Sequence, residues 1–226
     1  MKRKCMTLVA TVLLALLFLL TMGAPTASAD SFTFDLTTGN TAIAGFTGAY
    51  ATVTVDLTSS TTATITFSSL TNSGNIYLMG DGGTVGVNVN AGSWTLSGTT
   101  GSNGGTGFTP GPYSNGGSGN EDGFGSFNQT INSFDGFTHS SDTVSFTLTD
   151  TSGTWLSAAN VLGANADGFL AAAHIFVTSS PANAANGALA TGFATGTVNA
   201  PDGGMTLMLL GGALVGVETL RRKFRV

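Results

Sequence analysis

The chain has 226 residues, with 33 glycines, one cysteine and charged residues at only 8% of the composition. All seven cations lie at the two ends, in residues 2–4 and 221–225, so residues 30–200 contain no lysine or arginine. The same stretch carries ten acidic residues, giving it a net charge of −10: Asp30, Asp35, Asp56, Asp81, Glu121, Asp122, Asp135, Asp142, Asp150 and Asp167. Such a surface repels phosphate backbones, which excludes nucleic acid as a partner.

The N-terminus has the pattern of a secretory signal peptide. Residues 2–4 are basic, residues 8–20 are apolar apart from Thr11, and Ala27 and Ala29 form an Ala-x-Ala cleavage site. We expect signal peptidase to remove residues 1–29. An uncleaved membrane anchor is the alternative, which the short apolar run disfavours. Cys5 would leave with the signal, so the exported part would have neither a disulfide nor a thiol nucleophile.

Between the two ends, apolar residues alternate with polar ones at a period of two, which is typical of half-buried strands. Such runs begin at Phe32, Ala51, Ala63, Val85, Trp94 and Val144. An apolar run over residues 169–177 predicts a strand buried in part on both faces, and only residues 155–162 favour a short helix. The pattern predicts an all-β fold, an antiparallel β-sandwich of jelly-roll-like type with seven or more short strands.

Two stretches depart from this alternation. Residues 98–125 contain eleven glycines together with Pro110 and Pro112, which predicts a long glycine-rich loop or a disordered tongue. Phe108, Tyr113 and Phe124 would either pin this loop to the sheet or present aromatic faces to sugar rings. Residues 181–196 are mostly Ala, Asn, Gly and Thr, which predicts irregular chain or a weak final strand.

A calcium site is one candidate for chemistry. Residues 116–123 resemble one turn of a glycine-rich calcium nonapeptide, in which Glu121 and Asp122 would supply carboxylate oxygens to a hard cation. Only one copy is present, whereas such turns normally stack. Solvated loop acids are the alternative interpretation, so no metal ligand is assigned.

The two histidines are the other candidates. His139 adjoins Ser140 and Asp142 along a loop, where the three side chains cannot align as nucleophile, base and orienting acid. His174 shares a strand face with Ala172 and Phe176, and we expect a hydrogen-bonded structural role for it. Two isolated histidines without cysteine give no basis for a transition-metal centre, so no catalytic residue and no cofactor are predicted.

The C-terminus has the pattern of a short membrane helix followed by a basic cluster. Residues 205–217 carry no charge, and Arg221, Arg222, Lys223 and Arg225 follow. Cations beside a span stay on the cytoplasmic side, so this tail predicts a stop-transfer segment. Residues 205–220 reach about 24 Å at 1.5 Å per residue, short of the roughly 30 Å hydrocarbon core, which makes the anchor marginal. A buried helix in a soluble domain is the alternative.

Residues 200–225 resemble the PEP-CTERM sorting signals of Gram-negative bacteria. The shared order is a proline-containing motif, a short apolar segment and an arginine-rich end, and the motif here is Pro201, Asp202, Gly203 and Gly204. It is similar to the Val-Pro-Asp variant of the signal. The resemblance implies recognition by an exosortase, cleavage near the motif, and transfer from the inner membrane to the cell surface or extracellular matrix. From the residues alone, the motif also fits a plain linker.

The chain is thus divided into a signal peptide (1–29), an exported β-sandwich domain (30–199) and a sorting signal (200–226). We expect a structural or adhesive protein of the bacterial envelope or exopolysaccharide matrix, without enzymatic activity. The alternatives are an extracellular carbohydrate-binding module and a glycoside-acting hydrolase with a carboxylate pair. Expected partners are signal peptidase, an exosortase-like enzyme, the inner membrane in transit and extracellular polysaccharide. Asn128 also opens an Asn-Gln-Thr glycan sequon.

Overall fold

The computed structural model describes residues 30–196, which form an all-β structure of antiparallel strands. The strands of this part are β1 (Asp30–Leu36), β2 (Thr38–Gly39), β3 (Ala51–Ser59), β4 (Thr62–Ser69), β5 (Thr71–Asn72), β6 (Asn75–Met79), β7 (Val85–Val87), β8 (Trp94–Ser102), β9 (Ser114–Glu121), β10 (Gly125–Asn132), β11 (Thr143–Asp150), β12 (Ala171–Ser179) and β13 (Ala190–Gly196). Three short 3-10 turns interrupt them at Phe137–His139, Ala158–Asn160 and Ala184–Asn186. The predicted all-β, sandwich-like class is confirmed.

A five-stranded sheet runs in the order β1-β3-β4-β11-β8. Its strands form where β-branched and aromatic residues alternate with threonine and serine, because these side chains fit a pleated surface with one buried face. Every second residue of β3, β4 and β11 is buried. On the other face, hydroxyl groups pair across strands, as between Thr66 Oγ1 and Ser145 Oγ at 3.0 Å.

The second sheet has eight strands. Its main path is β2-β13-β12-β7-β10-β9, and β6 pairs with β12 and with β5. β12 therefore has neighbours on both sides and packing on both faces, because Ala173 and Ile175 face the main core while Ala172 and Phe176 belong to outer clusters. This confirms the strand predicted from the apolar run of residues 169–177.

The main core lies between the two sheets. Val53, Val55, Ile65, Phe67 and Phe146 of the first sheet join Met79, Val85, Val87, Ile175 and Val177 of the second in one buried cluster. Tyr50 and Tyr77 pack edge to face there, with ring centroids 4.8 Å apart. Each such buried side chain stabilises the fold by about 1.5–3 kcal/mol relative to exposure.

The prediction of one long loop over the glycine-rich residues 98–125 is wrong. Residues 98–102 complete β8, residues 114–121 form β9, and β10 begins at Gly125. β8 and β9 are edge strands, each with a single neighbour, β11 and β10 respectively. Both ladders shift register, and Gly98 (φ 64°) and Gly117 (φ 61°) lie at these shifts. Glycine accepts the left-handed backbone that such bulges require, so here it shapes sheet edges.

Two further predictions, for residues 155–162 and 181–196, can be compared with the structure. Residues 155–162 contain only the 3-10 turn Ala158–Asn160, so the predicted helix is a single short turn. Residues 181–196 end in β13, which confirms the weak final strand.

The cleavage site at Ala27 and Ala29, the motif beginning at Pro201, and the basic tail lie outside the described residues, as does the boundary at residue 199. Within residues 30–196 there is no helix of the length and apolar character needed to cross a membrane.

Candidate functional site

A groove of about 580 Å³ opens between two connections of the sandwich. One wall is the segment from β7 to β8, and the other is the segment from β11 to β12. The two segments are joined by backbone hydrogen bonds, from Asn90 N to Val161 O (2.9 Å) and from Gly163 N to Asn88 O (2.9 Å). Most of the lining residues are small or uncharged polar residues, and Asp150 is the single carboxylate among them. No sequence motif indicates this groove.

Two asparagines fix the polar character of the groove. Asn88 Nδ2 donates to Gly163 O (3.2 Å) and Ala164 O (3.1 Å), and Asn90 Nδ2 donates to Asn160 O (3.0 Å). Carbonyl oxygens accept only from the NH₂ end of an amide, so these bonds orient both side chains. Neither amide oxygen accepts a hydrogen bond within residues 30–196.

Asp150 places a fixed negative charge beside them. Its Oδ1 accepts from Ser152 N (2.8 Å), Ser152 Oγ (2.9 Å) and Gly153 N (2.8 Å). The backbone N–H of Ser152 contributes most to lowering the pKa of Asp150, because hydrogen bonds to a carboxylate favour its ionised form. The side chain is therefore ionised at neutral pH, and its Oδ2 would lie 3.4 Å from a Cβ on Gly153.

The apolar part of the groove is one exposed side chain above one buried ring. Leu156 is 91% exposed, the largest exposed fraction among the big hydrophobic residues of the described chain. Trp155 is 3% exposed, and its Nε1 donates to Asn90 O at 2.8 Å. The indole therefore stabilises the wall of the groove through its hydrogen bond to Asn90, whereas Leu156 is accessible to a ligand.

The structure does not bring His139, Ser140 and Asp142 together as a catalytic group. His139 Nδ1 lies 2.8 Å from the carbonyl oxygens of both Thr109 and Gly111, so this nitrogen carries a proton. Ser140 Oγ donates to Phe137 O, and Asp142 accepts from Ser102 Oγ and from Gly104 N. Each of the three side chains is therefore hydrogen-bonded to groups outside this trio.

His174 has the structural role predicted for it. Its ring stacks on Phe193 and Phe176, with centroids 4.4 Å and 5.3 Å away, and its Nδ1 lies 3.2 Å from Gly82 O. Burial lowers the pKa of His174, while the Gly82 carbonyl and Asp81 oppose the shift. Sequence periodicity placed Phe176 on its face but had no means of placing Phe193, which lies on the neighbouring strand β13.

The sequence of residues 116–123 indicates either a calcium loop or solvated loop acids, and neither interpretation holds for Glu121. Residues 114–121 are a strand, and Glu121 is fully buried without a hydrogen-bond partner for either carboxylate oxygen. Burial raises its pKa to about 9, so the group is neutral at pH 7 and a poor ligand for a cation. Asp122 is exposed and lies beside Asn40 Nδ2. Within residues 30–196 no group of three acidic or histidine side chains converges.

The aromatic residues of the glycine-rich stretch pack against the rest of the fold, with Phe124 buried and Phe108 and Tyr113 partly buried. Phe124 is 5% exposed and packs edge to face on Phe169 at 5.4 Å. Phe108 packs on Phe137 at 5.1 Å, and the Tyr113 hydroxyl pairs with Ser141 Oγ. Of the two roles expected for these residues, the structure supports pinning.

The glycan sequon is also engaged in the fold. Asn128 Oδ1 accepts from Val89 N (2.7 Å) and its Nδ2 donates to Val89 O (2.9 Å), so the side chain takes the place of a neighbouring strand's backbone. Thr130 is buried. The folded chain therefore does not offer Asn128 as an acceptor.

Two neighbouring acidic residues, Asp81 and Asp135, lie away from the groove. The carboxyl groups of Asp81 and Asp135 are in hydrogen-bond contact, which raises the pKa of Asp135. Neither residue lines the groove, where Asp150 is the single carboxylate. Glycosidases need two carboxyl groups about 5–9.5 Å apart across the scissile bond, so nothing in the groove favours glycoside hydrolysis.

Comparisons with known proteins give no match to a family model, to a curated protein or to a solved structure.

Proposed function

We propose that this protein is an exported, surface-sorted structural or adhesive component of a Gram-negative envelope or exopolysaccharide matrix. One observation carries the proposal, the confinement of all seven cations to residues 2–4 and 221–225. One basic cluster precedes the first apolar segment and the other follows the second, which is the arrangement that membrane insertion and retention require. The intervening chain, free of cations, is then the exported part.

The β-sandwich is consistent with this role. Its outward strand positions are rich in threonine and serine, which keep a sheet surface hydrophilic without cations, and its cores contain no cysteine. We further propose the jelly-roll-like relation of the two sheets, supported by the interleaving of distant strands: β11 lies between β4 and β8, and β12 lies between β13 and β7.

Processing follows from the proposal in two steps. Signal peptidase would act after Ala29, and an exosortase-like enzyme would act near Pro201–Gly204 while the chain is held in the inner membrane. No enzymatic activity is proposed for the chain itself. A carbohydrate-binding module is the second candidate, and the groove at Asn88, Asn90 and Asp150 favours it.

Intact-mass measurement of the protein from the envelope and from the medium tests the export proposal. We expect a species that begins at Asp30 and ends near residue 203, together with an envelope precursor that retains the basic tail. A variant with Arg221, Arg222, Lys223 and Arg225 all changed to glutamine should lose the envelope precursor. Asp202→Asn changes the sorting motif and keeps the basic tail, so it should alter only the final cleavage. Recovery of the unprocessed chain in the cytosol would refute the proposal.

A further inference from the structure

We propose that the groove at Asn88, Asn90 and Asp150 is a binding site for an uncharged or amino-substituted saccharide. This inference deepens the adhesive role and rests on the proposed export, because an exported chain is the one that meets polysaccharide. The proposed site does not include the aromatic residues of the glycine-rich stretch, because these residues pack within the fold.

The hydrogen-bonding balance of the groove favours a ligand rich in hydroxyl groups. The amide oxygens of Asn88 and Asn90 and Oδ2 of Asp150 accept no hydrogen bond within residues 30–196, whereas both asparagine NH₂ groups are already engaged. The groove therefore offers a surplus of acceptors held in fixed orientation. Sugar hydroxyls are donors that can satisfy such acceptors, and neighbouring hydroxyls can address a carboxylate together.

The charge of the groove selects among saccharides. Asp150 is ionised, and residues 30–200 contain no lysine or arginine that could neutralise an acidic ligand. Uronate, sulfate and phosphate groups would meet an unopposed negative charge. Neutral sugars avoid this repulsion, and an amino sugar would gain attraction to Asp150.

The shape of the groove fits a short stretch of glycan. Its volume of about 580 Å³ lies within the range of small-molecule sites and exceeds what a bare cation needs. Gly92, Gly153 and Gly163 leave room between the walls, and Leu156 supplies an apolar edge for the C–H face of a sugar ring. Because Trp155 is buried, ring stacking is absent, so we expect weak binding, with a Kd on the order of 0.1–1 mM.

The test is calorimetric titration of the purified full-length chain with defined oligosaccharides. The probes are cellotetraose, chitotriose, the chitosan trimer and, as the acidic comparison, a mannuronate trimer. We expect binding of at least one neutral or amino-sugar probe and none of the mannuronate trimer. Absence of binding by all neutral and amino-sugar probes at millimolar concentration would overturn the proposal, as would preference for the mannuronate trimer.

Matched substitutions place the binding in the groove. Gly153→Gln would fill the space, since its Cβ meets only ordinary contact with Asp150, and Gly45→Gln is the control at an exposed glycine with no atom within 4 Å of such a Cβ. Leu156→Ala removes the apolar edge, and Leu189→Ala is its control at a residue 58% exposed outside the groove. We expect at least a tenfold loss of affinity for Gly153→Gln, a smaller loss for Leu156→Ala, and less than twofold change in the controls.

Two further readouts separate the competing explanations. Unchanged binding in Gly153→Gln would place the sugar elsewhere and overturn the site. Binding abolished by EDTA and restored by Ca²⁺ alone would replace the saccharide by a cation as the primary ligand. The titration uses purified protein, so its result does not depend on export. Correct export without sugar binding would refute only the saccharide site. Sugar binding by a chain that is found in the cytosol would refute only the export.

Discussion

Glu121 is a fully buried carboxyl group with no hydrogen-bond partner, in a part of the chain that holds no cation. Its side chain fills the space left by two glycines, because a Cβ on Gly83 would lie 2.6 Å from both carboxylate oxygens and one on Gly86 would lie 3.0 Å from Oε1. Burial raises the pKa of Glu121 from 4.5 to about 9. The folded state therefore retains a proton that the unfolded chain releases near pH 4.5.

Glu121→Gln should remove a pH dependence from the stability. The raised pKa means that the contribution of Glu121 to the free energy of unfolding is highest below pH 4.5. This contribution falls by about 1.4 kcal/mol per pH unit as the pH rises toward about 9. The variant should match the wild type near pH 4 and exceed its Tm at pH 8. Thermal unfolding from pH 4 to 9 measures this, with the exposed neighbour changed in Asp122→Asn as the control. Parallel pH profiles for wild type and Glu121→Gln would contradict the assignment.

His174 should show the opposite dependence. Its pKa is lowered by burial, so the unfolded state binds a proton near pH 6.5 while the folded state resists it. Stability due to this group is complete above pH 6.5 and is lost as the pH falls through the folded-state value. His174→Phe keeps a ring between Phe176 and Phe193. From pH 7 to pH 5 the Tm of this variant should fall less than the Tm of the wild type. If His139→Phe diminished the fall in Tm by the same amount, His174 would not be its cause.

For a single residue, the sequence predicts which side chains of the same strand lie beside it, and it does not predict contacts with other strands. The period of two placed His174 beside Ala172 and Phe176, because that relation is local. The burial of Glu121 depends on Gly83 and Gly86, which lie more than thirty residues earlier and carry no side chain that a pattern could register. The asparagines of the groove have the same limitation, since their partners come from the segment between β11 and β12.

At the scale of elements, glycine packing on the edge strand β8 leads to a stability prediction. A Cβ on Gly101 would overlap the Tyr113 hydroxyl and lie 2.8 Å from the backbone oxygen of Thr143. Gly101→Ala should therefore cost about 1–3 kcal/mol through overpacking. The expected fall in Tm is about 2–4 °C for each kcal/mol in a domain of this size. Gly45→Ala, where a Cβ meets nothing within 4 Å, should leave Tm within about 1 °C.

The outcome would be read from urea or thermal unfolding of both variants. Equal Tm values for Gly101→Ala and Gly45→Ala would mean that the contact between β8 and Tyr113 is not close-packed in solution. Tyr113→Phe gives a further check, because it removes the hydroxyl that pairs with Ser141 and that makes the closest overlap with a Cβ at position 101. The Cζ atom of the ring would still lie 2.5 Å from that Cβ, so the relief is partial. The double variant should then recover part of the loss.

Strands with a regular apolar face could be predicted from the sequence, whereas β9, which the sequence does not predict, has no such face. β3, β4 and β11 alternate residue by residue, so their class follows from period alone. β9 reads SNGGSGNE, with no apolar residue, and it forms because β10 supplies a partner ladder. Edge strands are bonded on one side and need no continuous buried face, which is why a glycine-rich stretch that resembles a loop can hold one.

At the scale of the whole molecule, the absence of cations makes the charge balance unusual. Residues 30–196 contain ten acids and no lysine or arginine, so their carboxylates have no basic partner other than the two histidines. Glu121 is neutral in the fold below about pH 9, which leaves at most nine ionised carboxylates in this part of the chain at neutral pH. Like charges at this density repel one another and favour expansion of the chain.

Salt should therefore stabilise the protein by screening rather than weaken it. Raising NaCl from about 20 mM to about 500 mM shortens the screening length from roughly 20 Å to about 4 Å, so repulsion between surface carboxylates falls. We expect Tm at pH 7.5 to rise by several degrees over this range, because no stabilising ion pair with lysine or arginine exists within residues 30–196 to be lost. At about pH 3, where most carboxyl groups are protonated, the same change in NaCl should have much less effect. An equal rise in Tm at both pH values would assign the stabilisation to exclusion of salt from the protein surface. A fall in Tm at pH 7.5 would show that the carboxylates do not repel one another in the folded state.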